Sequence, residues 1–277
     1  MISARQKEKA KIFSAMHKRK EIFILPNAWD VGSACVFQKF GFEAIATTSA
    51  GVAHSLGLPD GEQIELSDIL YLTERIAKRV DVPITVDFER AFSEDIEEAK
   101  ENVRRILFVG AIGINIEDGF ADGTLSSVEY QVEKIKAIAQ LKEELDLDFV
   151  INARTCTYLH NVADEEEMLE MAVERSNAYL AAGADCVFIP GALSHEAVVA
   201  LTERINGPIN LLLTKTTYDT KELGALGIRR LSVGSAMARW SYGEVIKMAE
   251  KLKDHETTEI RSTYFTLAKA NEYFDKE

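Results

Sequence analysis

The chain has 277 residues, 47% of them apolar, and its 45 acidic and 32 basic side chains give a formal net charge of −13. This length and apolar content fit a globular protein with one large α/β barrel or two smaller domains. The acidic excess excludes a nucleic-acid partner or an anionic membrane surface, because both require a basic face, and no apolar run approaches the roughly 20 residues that span a bilayer.

The chain opens with an amphipathic segment, residues 1–20, that predicts a lead-in helix. Eight short apolar runs follow, and they are continuous rather than strictly alternating, which predicts strands buried on both faces of a parallel sheet. These runs are Ile22–Pro26, Ala44–Thr48, Ile84–Asp87, Ile112–Glu117, Phe149–Arg154, Cys186–Pro190, Ile209–Leu213 and Arg229–Val233.

Amphipathic helices are predicted between the strands. They cover Glu62–Arg79, Asp95–Phe108, Ser127–Leu145, Glu165–Ala182 and His195–Ile205. Eight strands between positions 22 and 233 recur about every 26 residues, which is the period of a (β/α)8 TIM barrel. We therefore predict an α/β fold with a single barrel domain over residues 1–277 and extra helices at both ends. The competing doubly wound sheet lacks support, because Pro26-Asn-Ala-Trp-Asp is not a phosphate-binding glycine fingerprint.

Two further helices are predicted beyond the eighth strand, over Tyr242–Lys253 and Thr258–Tyr273. A barrel needs one helix there to close its ring, so the second leaves apolar surface to be covered. Large exposed apolar patches usually mark an interface. We expect a homodimer or homotetramer joined through residues 240–277.

Three cysteines, Cys35, Cys156 and Cys186, are widely separated and form no CxxC or CxxH group. They suggest neither a zinc site nor a disulfide framework. The basic N-terminus has no apolar segment of the kind found in secretory signals. Together these features predict a reduced, cytoplasmic location.

Acidic side chains gather where the predicted strands end, which is where a barrel carries its chemistry. Asp87 and Glu89 are two positions apart on one strand and point to the same side, and Glu117 ends the next strand. Carboxylates without a cysteine or histidine form a hard oxygen site that suits Mg²⁺ or Mn²⁺. Arg154 ends the strand after that and could act as a counter-ion or as a clamp on a substrate carboxylate.

Four motifs stand at these strand ends in chain order: Ser49-Ala-Gly with Ser55-Leu-Gly-Leu-Pro-Asp60, Val86-Asp87-Phe-Glu89, Asn115-Ile-Glu117-Asp118 and Asn152-Ala-Arg154-Thr. With them the sequence resembles the isocitrate lyase/phosphoenolpyruvate mutase superfamily over nearly the whole predicted barrel. The resemblance implies a Mg²⁺-dependent (β/α)8 enzyme that makes or breaks a C–C or P–C bond next to a 2-oxo acid. It also implies a pyruvate-like enolate held on the metal.

The resemblance further implies roles for individual residues. The implied ligands of Mg²⁺ and its waters are Asp60, Asp87, Glu89 and Glu117. The implied substrate-binding groups are Ser49, the backbone amides of Ala50 and Gly51, and Arg154. We add Asn210, on the seventh predicted strand, to the substrate-binding set. The predicted catalytic residues are Arg154, Asp60 and Glu117.

The loop after the fourth predicted strand departs from the superfamily pattern. It reads Glu117-Asp-Gly-Phe-Ala-Asp-Gly-Thr-Leu-Ser and lacks the Lys-Lys/Arg-Cys-Gly-His motif of the true lyases. Isocitrate and methylisocitrate are therefore disfavoured as substrates. Three neighbouring residues stay open: Arg90 binds a second carboxylate or caps its loop, His54 moves a proton or lies at the surface, and Cys156 is an acid or packs.

We predict a Mg²⁺-dependent enzyme that cleaves or decarboxylates a small 2-oxo or 2-hydroxy di- or tricarboxylate, with an oxaloacetate-like substrate favoured. Three alternatives remain open. One is a P–C bond enzyme of the phosphonopyruvate type. Another is a metal-independent Schiff-base aldolase that uses Lys215. The last is a barrel that binds a carboxylate without catalysis.

Overall fold

A parallel barrel forms the centre of the computed structural model, which describes residues 2–215 and 218–275. Its strands are β1 Phe23–Leu25, β2 Asn27–Ala28, β3 Ile45–Thr47, β4 Ile84–Asp87, β5 Gly113–Glu117, β6 Val150–Arg154, β7 Cys186–Ile189, β8 Ile209–Leu212 and β9 Arg230–Ser232. They follow the order β1-β9-β8-β7-β6-β5-β4-β3-β2, with every pair parallel.

The first predicted strand, Ile22–Pro26, corresponds to β1, and a separate short strand, β2, that was not predicted follows directly after Pro26. Proline has no N–H to donate to a neighbouring strand, which accounts for the break. Because β1 pairs with β9 and β2 pairs with β3, the chain itself closes the ring at this point. The predicted (β/α)8 fold is confirmed.

Thirteen helices are assigned among the described residues. They are α1 Ala4–Lys18, α2 Val31–Lys39, α3 Ser49–Ser55, α4 Leu66–Arg79, α5 Ile96–Phe108, α6 Val128–Glu144, α7 Thr157–His160, α8 Glu165–Ala181, α9 His195–Arg204, α10 Thr220–Leu226, α11 Ala236–Lys253, α12 Thr258–Arg261 and α13 Leu267–Phe274. None of the helices within these residues has the length and apolar character needed to cross a membrane.

Several predicted helices have different bounds in the structure, and the one predicted over Tyr242–Lys253 begins six residues earlier, at Ala236. The helix predicted from Glu62 begins only at Leu66, because Glu62 has a φ of +52°, which lies outside the right-handed helical region. The segment predicted as one helix over 258–273 is divided into α12 and α13. The hydroxyl of Thr266 accepts a hydrogen bond from the backbone N–H of Lys269 and so starts a new helix.

Helix α1 packs on the barrel at the start of β5. The side-chain amide of Gln6 donates to the carbonyls of Leu107 and Ala111 at 2.6 and 2.9 Å. Phe13 is fully buried and lies so close to Gly113 that a Cβ there would be 3.1 Å from its ring. The lead-in helix is therefore part of the core, and the strand ends that carry the carboxylates lie at the far end of β5.

Helix α11 contributes little to the core of its own chain. Ala238 is its only buried residue, although the helix runs from Ala236 to Lys253. In the middle of β1, the side chain of Ile24 is 44% exposed, whereas its neighbours Phe23 and Leu25 are buried. The outer face of β1 is thus left without the covering helix that a strand in a closed barrel requires.

Candidate active site

Asp87, the last residue of β4, is held by donors on both of its carboxylate oxygens. Oδ2 accepts hydrogen bonds from the hydroxyl and backbone N–H of Ser49 at 2.9 and 3.2 Å. Oδ1 accepts from Nδ2 of Asn115 at 3.2 Å. These contacts bring the ends of β3, β4 and β5 together around one carboxylate.

Ser49 begins the short helix α3, which was not predicted from the sequence. Its two donors are directed at Asp87, and the N–H of Gly51 is directed at the hydroxyl of Thr48, which caps the helix at 3.4 Å. Ala50 lies in the first turn of the same helix. The predicted carboxylate grip of Ser49, Ala50 and Gly51 stays a prediction, and a substrate would have to share these donors.

Glu89 is buried just beyond β4, in a loop of unusual backbone conformation. Its φ is +49°, and the φ angles of Ala91 and Phe92 are +66° and +56°. All three lie in the left-handed region that residues other than glycine rarely adopt. Lys134 of α6 steadies the loop by donating to the carbonyls of Arg90 and Ser93 at 3.0 and 3.2 Å. Such a strained loop persists because its neighbours hold it.

The carboxylate of Glu89 has one satisfied oxygen and one without a partner. Oε1 accepts a hydrogen bond from the backbone N–H of Glu62 at 3.0 Å, and Oε2 is buried with no partner among the described residues. Burial raises the pKa of Glu89 to about 8, with further contributions from the negative charges of Asp87 and Glu117. Among the described residues, no cationic side chain pairs with Glu89 to offset its charge.

Glu117 and Arg154 face each other across β5 and β6. They are paired in the strand register, and Nη1 of Arg154 lies 2.7 Å from Oε2 of Glu117. Burial raises the pKa of Glu117 to about 7, although the Arg154 guanidinium acts in the opposite direction. The thiol of Cys156 points at the same Oε2 from 3.7 Å, and burial raises its pKa, so it stays protonated.

Asp118 holds the start of the loop that follows β5, a role that the motif reading missed. It is fully buried and accepts hydrogen bonds from the Cys156 N–H at 2.9 Å, Nη1 of Arg175 at 3.0 Å and the Tyr179 hydroxyl at 2.7 Å. Arg175 and Tyr179 are four residues apart on α8 and share one helix face. The spacing of this arginine and tyrosine on a predicted helix is the feature of the sequence that could have indicated a polar partner for them.

The residues left open by the sequence are resolved in part. Arg90 is buried, with its guanidinium carbon 3.3 Å from the centre of the Phe120 ring and an ion pair to Glu94. This favours the loop-capping reading over a free carboxylate binder. Cys156 is fully buried against Glu117, and His54 is half-buried on α3.

The other predicted site residues lie farther from the carboxylates. Asp60 is exposed on the loop between α3 and α4, and its neighbour Gly61 lies beside Ala121 of the loop after β5. Asn210 is fully buried inside the barrel and donates to the Ser232 hydroxyl at 3.1 Å. Among the described residues, no hydrogen bond or ion pair joins Asp60 or Asn210 to Asp87, so their roles stay predictions.

The carboxylates bear on the predicted metal ion. Over residues 2–215 and 218–275, no three His, Cys, Asp or Glu side chains are close enough to bind one ion directly. However, Asp87, Glu89 and Glu117 influence one another electrostatically, and a buried oxygen of Glu89 lacks a partner. This donor set fits Mg²⁺, which takes few carboxylates and keeps several of its waters.

Comparison with known proteins gives a consistent assignment. The family model described as phosphoenolpyruvate phosphomutase matches residues 13–253. An uncharacterized protein of Mycobacterium tuberculosis strain ATCC 25618 / H37Rv is 35% identical over 224 residues, which cover 80% of this chain and 81% of that protein. The 2-methylisocitrate lyase of Escherichia coli strain K12 is 32% identical over 247 residues, covering 83% and 80%.

Solved structures share the whole fold. A protein of Burkholderia cenocepacia J2315 is 32% identical and superposes with a TM-score of 0.90, covering 98% of this chain and 97% of that one. Oxaloacetate acetylhydrolase, solved with 3,3-difluorooxalacetate, is 23% identical with a TM-score of 0.85, covering 96% and 93%. Phosphonopyruvate hydrolase, solved with oxalate and Mg²⁺, is 23% identical with a TM-score of 0.83, covering 96% and 94%. The last two show similarity of fold alone.

Proposed function

Because the chain belongs to the phosphoenolpyruvate phosphomutase family, we propose that it is a Mg²⁺-dependent carbon–carbon lyase or decarboxylase of a small 2-oxo or 2-hydroxy di- or tricarboxylate. Membership confirms the isocitrate lyase/phosphoenolpyruvate mutase superfamily predicted from the strand-end motifs. An oxaloacetate-like substrate is favoured. The observation that carries the proposal is the group of buried Glu89 and half-buried Asp87 and Glu117 beside Arg154, all at the carboxyl ends of neighbouring strands.

The metal would be held by Asp87, Glu89 and Glu117, with Asp60 contributing from its exposed loop. When bound, Mg²⁺ supplies positive charge that offsets the negative charge developing on the substrate oxygen next to the breaking bond. Among the described residues no three carboxylates are close enough to bind one ion directly, so water molecules would complete the ligand set of a bound Mg²⁺.

Arg154 would bind the oxo-acid carboxylate. Its guanidinium already lies 2.7 Å from a carboxylate oxygen of Glu117, and its Nε is buried without a partner among the described residues. A planar carboxylate can accept two N–H bonds from arginine at once. The protonated Cys156 thiol, 3.7 Å from Glu117, keeps a proton beside the same oxygen.

Lys215 does not support the Schiff-base alternative. Its side chain is exposed, whereas a Schiff-base lysine is activated by desolvation or by a neighbouring cation. The phosphonopyruvate-type alternative remains the second candidate, because the fold is shared with a phosphonopyruvate hydrolase that was solved with Mg²⁺.

The loop after β5 supports the choice of substrate. It is short and closed by a bridge between Gly119 and Leu125 and by a hydrogen bond from the Phe120 N–H to the Thr124 carbonyl at 2.8 Å. It holds no cysteine, lysine or histidine. The loop chemistry that the superfamily resemblance implies for isocitrate and methylisocitrate lyases is therefore missing, although a methylisocitrate lyase is among the relatives.

The proposal is tested by assaying the purified protein with Mg²⁺ against oxaloacetate, dimethylmalate, methylisocitrate and phosphonopyruvate. We expect turnover of oxaloacetate or dimethylmalate, its loss in EDTA and its return when Mg²⁺ is added in excess. Activity that survives EDTA would contradict the metal-dependent mechanism. Turnover of phosphonopyruvate alone would select the second candidate, and no turnover of any 2-oxo acid would favour a barrel that only binds its ligand.

We also propose that the protein is a homodimer or homotetramer. Trp240, Val245 and Ile246 of α11 are 66%, 62% and 59% exposed, and Ile24 of β1 is left uncovered. An apolar helix without a partner and a barrel strand without a helix are complementary surfaces, so α11 of a second copy would cover β1.

A further inference from the structure

A buried arginine lies inside the barrel below the carboxylates. Arg230 of β9 has no exposed surface, and among the described residues no carboxylate lies within ion-pair distance of it. Its Nη2 donates to Oδ1 of Asn115 at 3.2 Å and its Nε to the Ser232 hydroxyl at 3.3 Å. Burying an unpaired guanidinium is costly, so a residue of this kind calls for an explanation.

Arg230 determines which way the amide of Asn115 points. An arginine side chain has only donors, so the group that faces it must be the amide oxygen of Asn115. Asn152 also donates to that oxygen, at 2.8 Å, but its own amide could turn over and present an oxygen instead. Of the two side chains that donate to Oδ1 of Asn115, Arg230 is therefore the one that cannot become an acceptor.

The orientation of Asn115 fixes Asp87 in turn. With its oxygen toward Arg230, Asn115 presents Nδ2 to Oδ1 of Asp87 at 3.2 Å, while Ser49 holds Oδ2. A reversed amide would place its NH2 against the guanidinium and its oxygen against the carboxylate. Both contacts would be repulsive, so the chain from Arg230 through Asn115 keeps Asp87 in a single orientation.

We propose that Arg230 is a positioning residue for the metal site, acting through Asn115 on the Asp87 carboxylate. This rests on the proposed function, in which Asp87 holds Mg²⁺. Residues that orient metal ligands typically change metal affinity by about 10–100-fold when they are removed. Arg230 lies on β9 and Asp87 at the end of β4, so the effect acts between strands that are not neighbours in the barrel.

The charge of Arg230 and its hydrogen bond act in opposite directions on Mg²⁺. A buried cation near the site repels a second cation, so loss of the charge alone would tighten Mg²⁺ binding. Loss of the orientation of Asn115 would weaken it. Weaker Mg²⁺ binding by Arg230→Met therefore indicates a positioning residue, and tighter Mg²⁺ binding indicates a core arginine that acts only by its charge.

The test is Mg²⁺ titration by calorimetry, without substrate, together with the Mg²⁺-induced rise in melting temperature. We expect Arg230→Met to bind Mg²⁺ at least about tenfold more weakly than wild type, and Arg230→Lys, which keeps a donor and the charge, to restore most of the affinity. Ser232→Ala is the matched control: it removes the other hydrogen bond of Arg230, and its affinity should be that of wild type.

Asn115→Leu provides a second route if Arg230→Met does not fold. It should weaken Mg²⁺ binding at least as much as Arg230→Met, because it leaves the repulsive charge of Arg230 in place. The double variant should bind Mg²⁺ no more weakly than Asn115→Leu, because both changes act on one path. Unchanged or tighter Mg²⁺ binding in folded Arg230→Met or in Asn115→Leu would overturn the proposal while leaving the proposed function intact. A wild-type protein that takes up no Mg²⁺ would instead remove the proposed function and this role with it.

Discussion

His17 should make the stability of the protein sensitive to acid, and Phe is the substitution that removes this effect. His17 is buried on α1, with its ring edge-on to Phe13 and Phe23 at 4.7 and 5.1 Å. Its Nδ1 lies 2.8 Å from the Phe13 carbonyl, and its Nε2 has no partner among the described residues. Burial, with a smaller effect of the nearby Arg230 charge, lowers its pKa from 6.5 to about 3.

The sign and size of the effect follow from this pKa. Above pH 6.5 both the folded and unfolded states hold a neutral His17, so it contributes no pH dependence. As the pH falls from 6.5 toward 3, only the unfolded state takes up the proton, and stability is lost at about 1.4 kcal/mol per pH unit. At pH 5 the loss is about 2 kcal/mol. Phe at this position keeps the aromatic contacts and takes up no proton.

The assay is urea unfolding of wild type and His17→Phe at pH 7, 6 and 5. The variant should gain about 2 kcal/mol relative to wild type between pH 7 and 5. Other titrating groups cancel in this difference. Ile69→Val, a change at a fully buried position of α4, is the control and should lower stability by a similar amount at each pH. A constant gap between wild type and His17→Phe over this range would refute the assignment.

Three further predictions concern the site and the assembly. Asp87→Asn should abolish turnover at saturating Mg²⁺ while circular dichroism shows a folded barrel, since the carboxylate that Ser49 and Asn115 orient is lost; unchanged turnover would remove Asp87 from the site. Arg154→Lys should raise KM and lower kcat, because lysine keeps the charge but not the planar fork; kinetics equal to wild type would place Arg154 outside the site. Light scattering should show at least a dimer, and a stable 30.9 kDa monomer at micromolar concentration would contradict the proposed interface. Deletion of the residues after Lys253 should cause the protein to aggregate or its oligomer to dissociate. An intact assembly after the deletion would also contradict the interface.

The barrel was predictable because its signal is repeated. Each strand is a short apolar run, and each is followed by an amphipathic helix, so local errors do not change the architecture. The break at Pro26 and the late start of α4 depend on a missing N–H and on a positive φ at Glu62. A hydrophobic pattern does not contain such backbone details.

The orientation of α11 could not be predicted in the same way. An apolar stripe shows that a helix packs on something, but not which surface receives it. The pattern is the same whether the helix covers its own barrel or another copy. In the structure, Ile24 on β1 is exposed and α11 has a single buried residue, and these two observations support the proposal that α11 packs on a second copy.

The carboxylate group was predictable because its members end consecutive strands. Asp87 and Glu89 are separated by one residue, and Glu117 ends the neighbouring strand, so the barrel brings them together. Arg230 and Asn115 are both polar residues in apolar strands, but they are 115 positions apart and nothing in the sequence shows that they meet. A contact across the inside of the barrel leaves no local pattern in the sequence.

The loop after β5 is held by buried contacts at Asp118 and Phe120, and these contacts bear on where a proton donor can come from. Asp118 is buried under three donors, and its carbonyl accepts from the Ser126 N–H at 2.8 Å, so opening the loop would strand a buried charge. Phe120 is held by the Arg90 guanidinium. The superfamily resemblance implies that, in the true lyases, a flexible loop brings a cysteine to the substrate. The loop after β5 in this chain holds no cysteine, lysine or histidine that could do so. Under the proposed function, the groups at the strand ends, with Cys156 beside Glu117, would therefore hold the protons of the reaction.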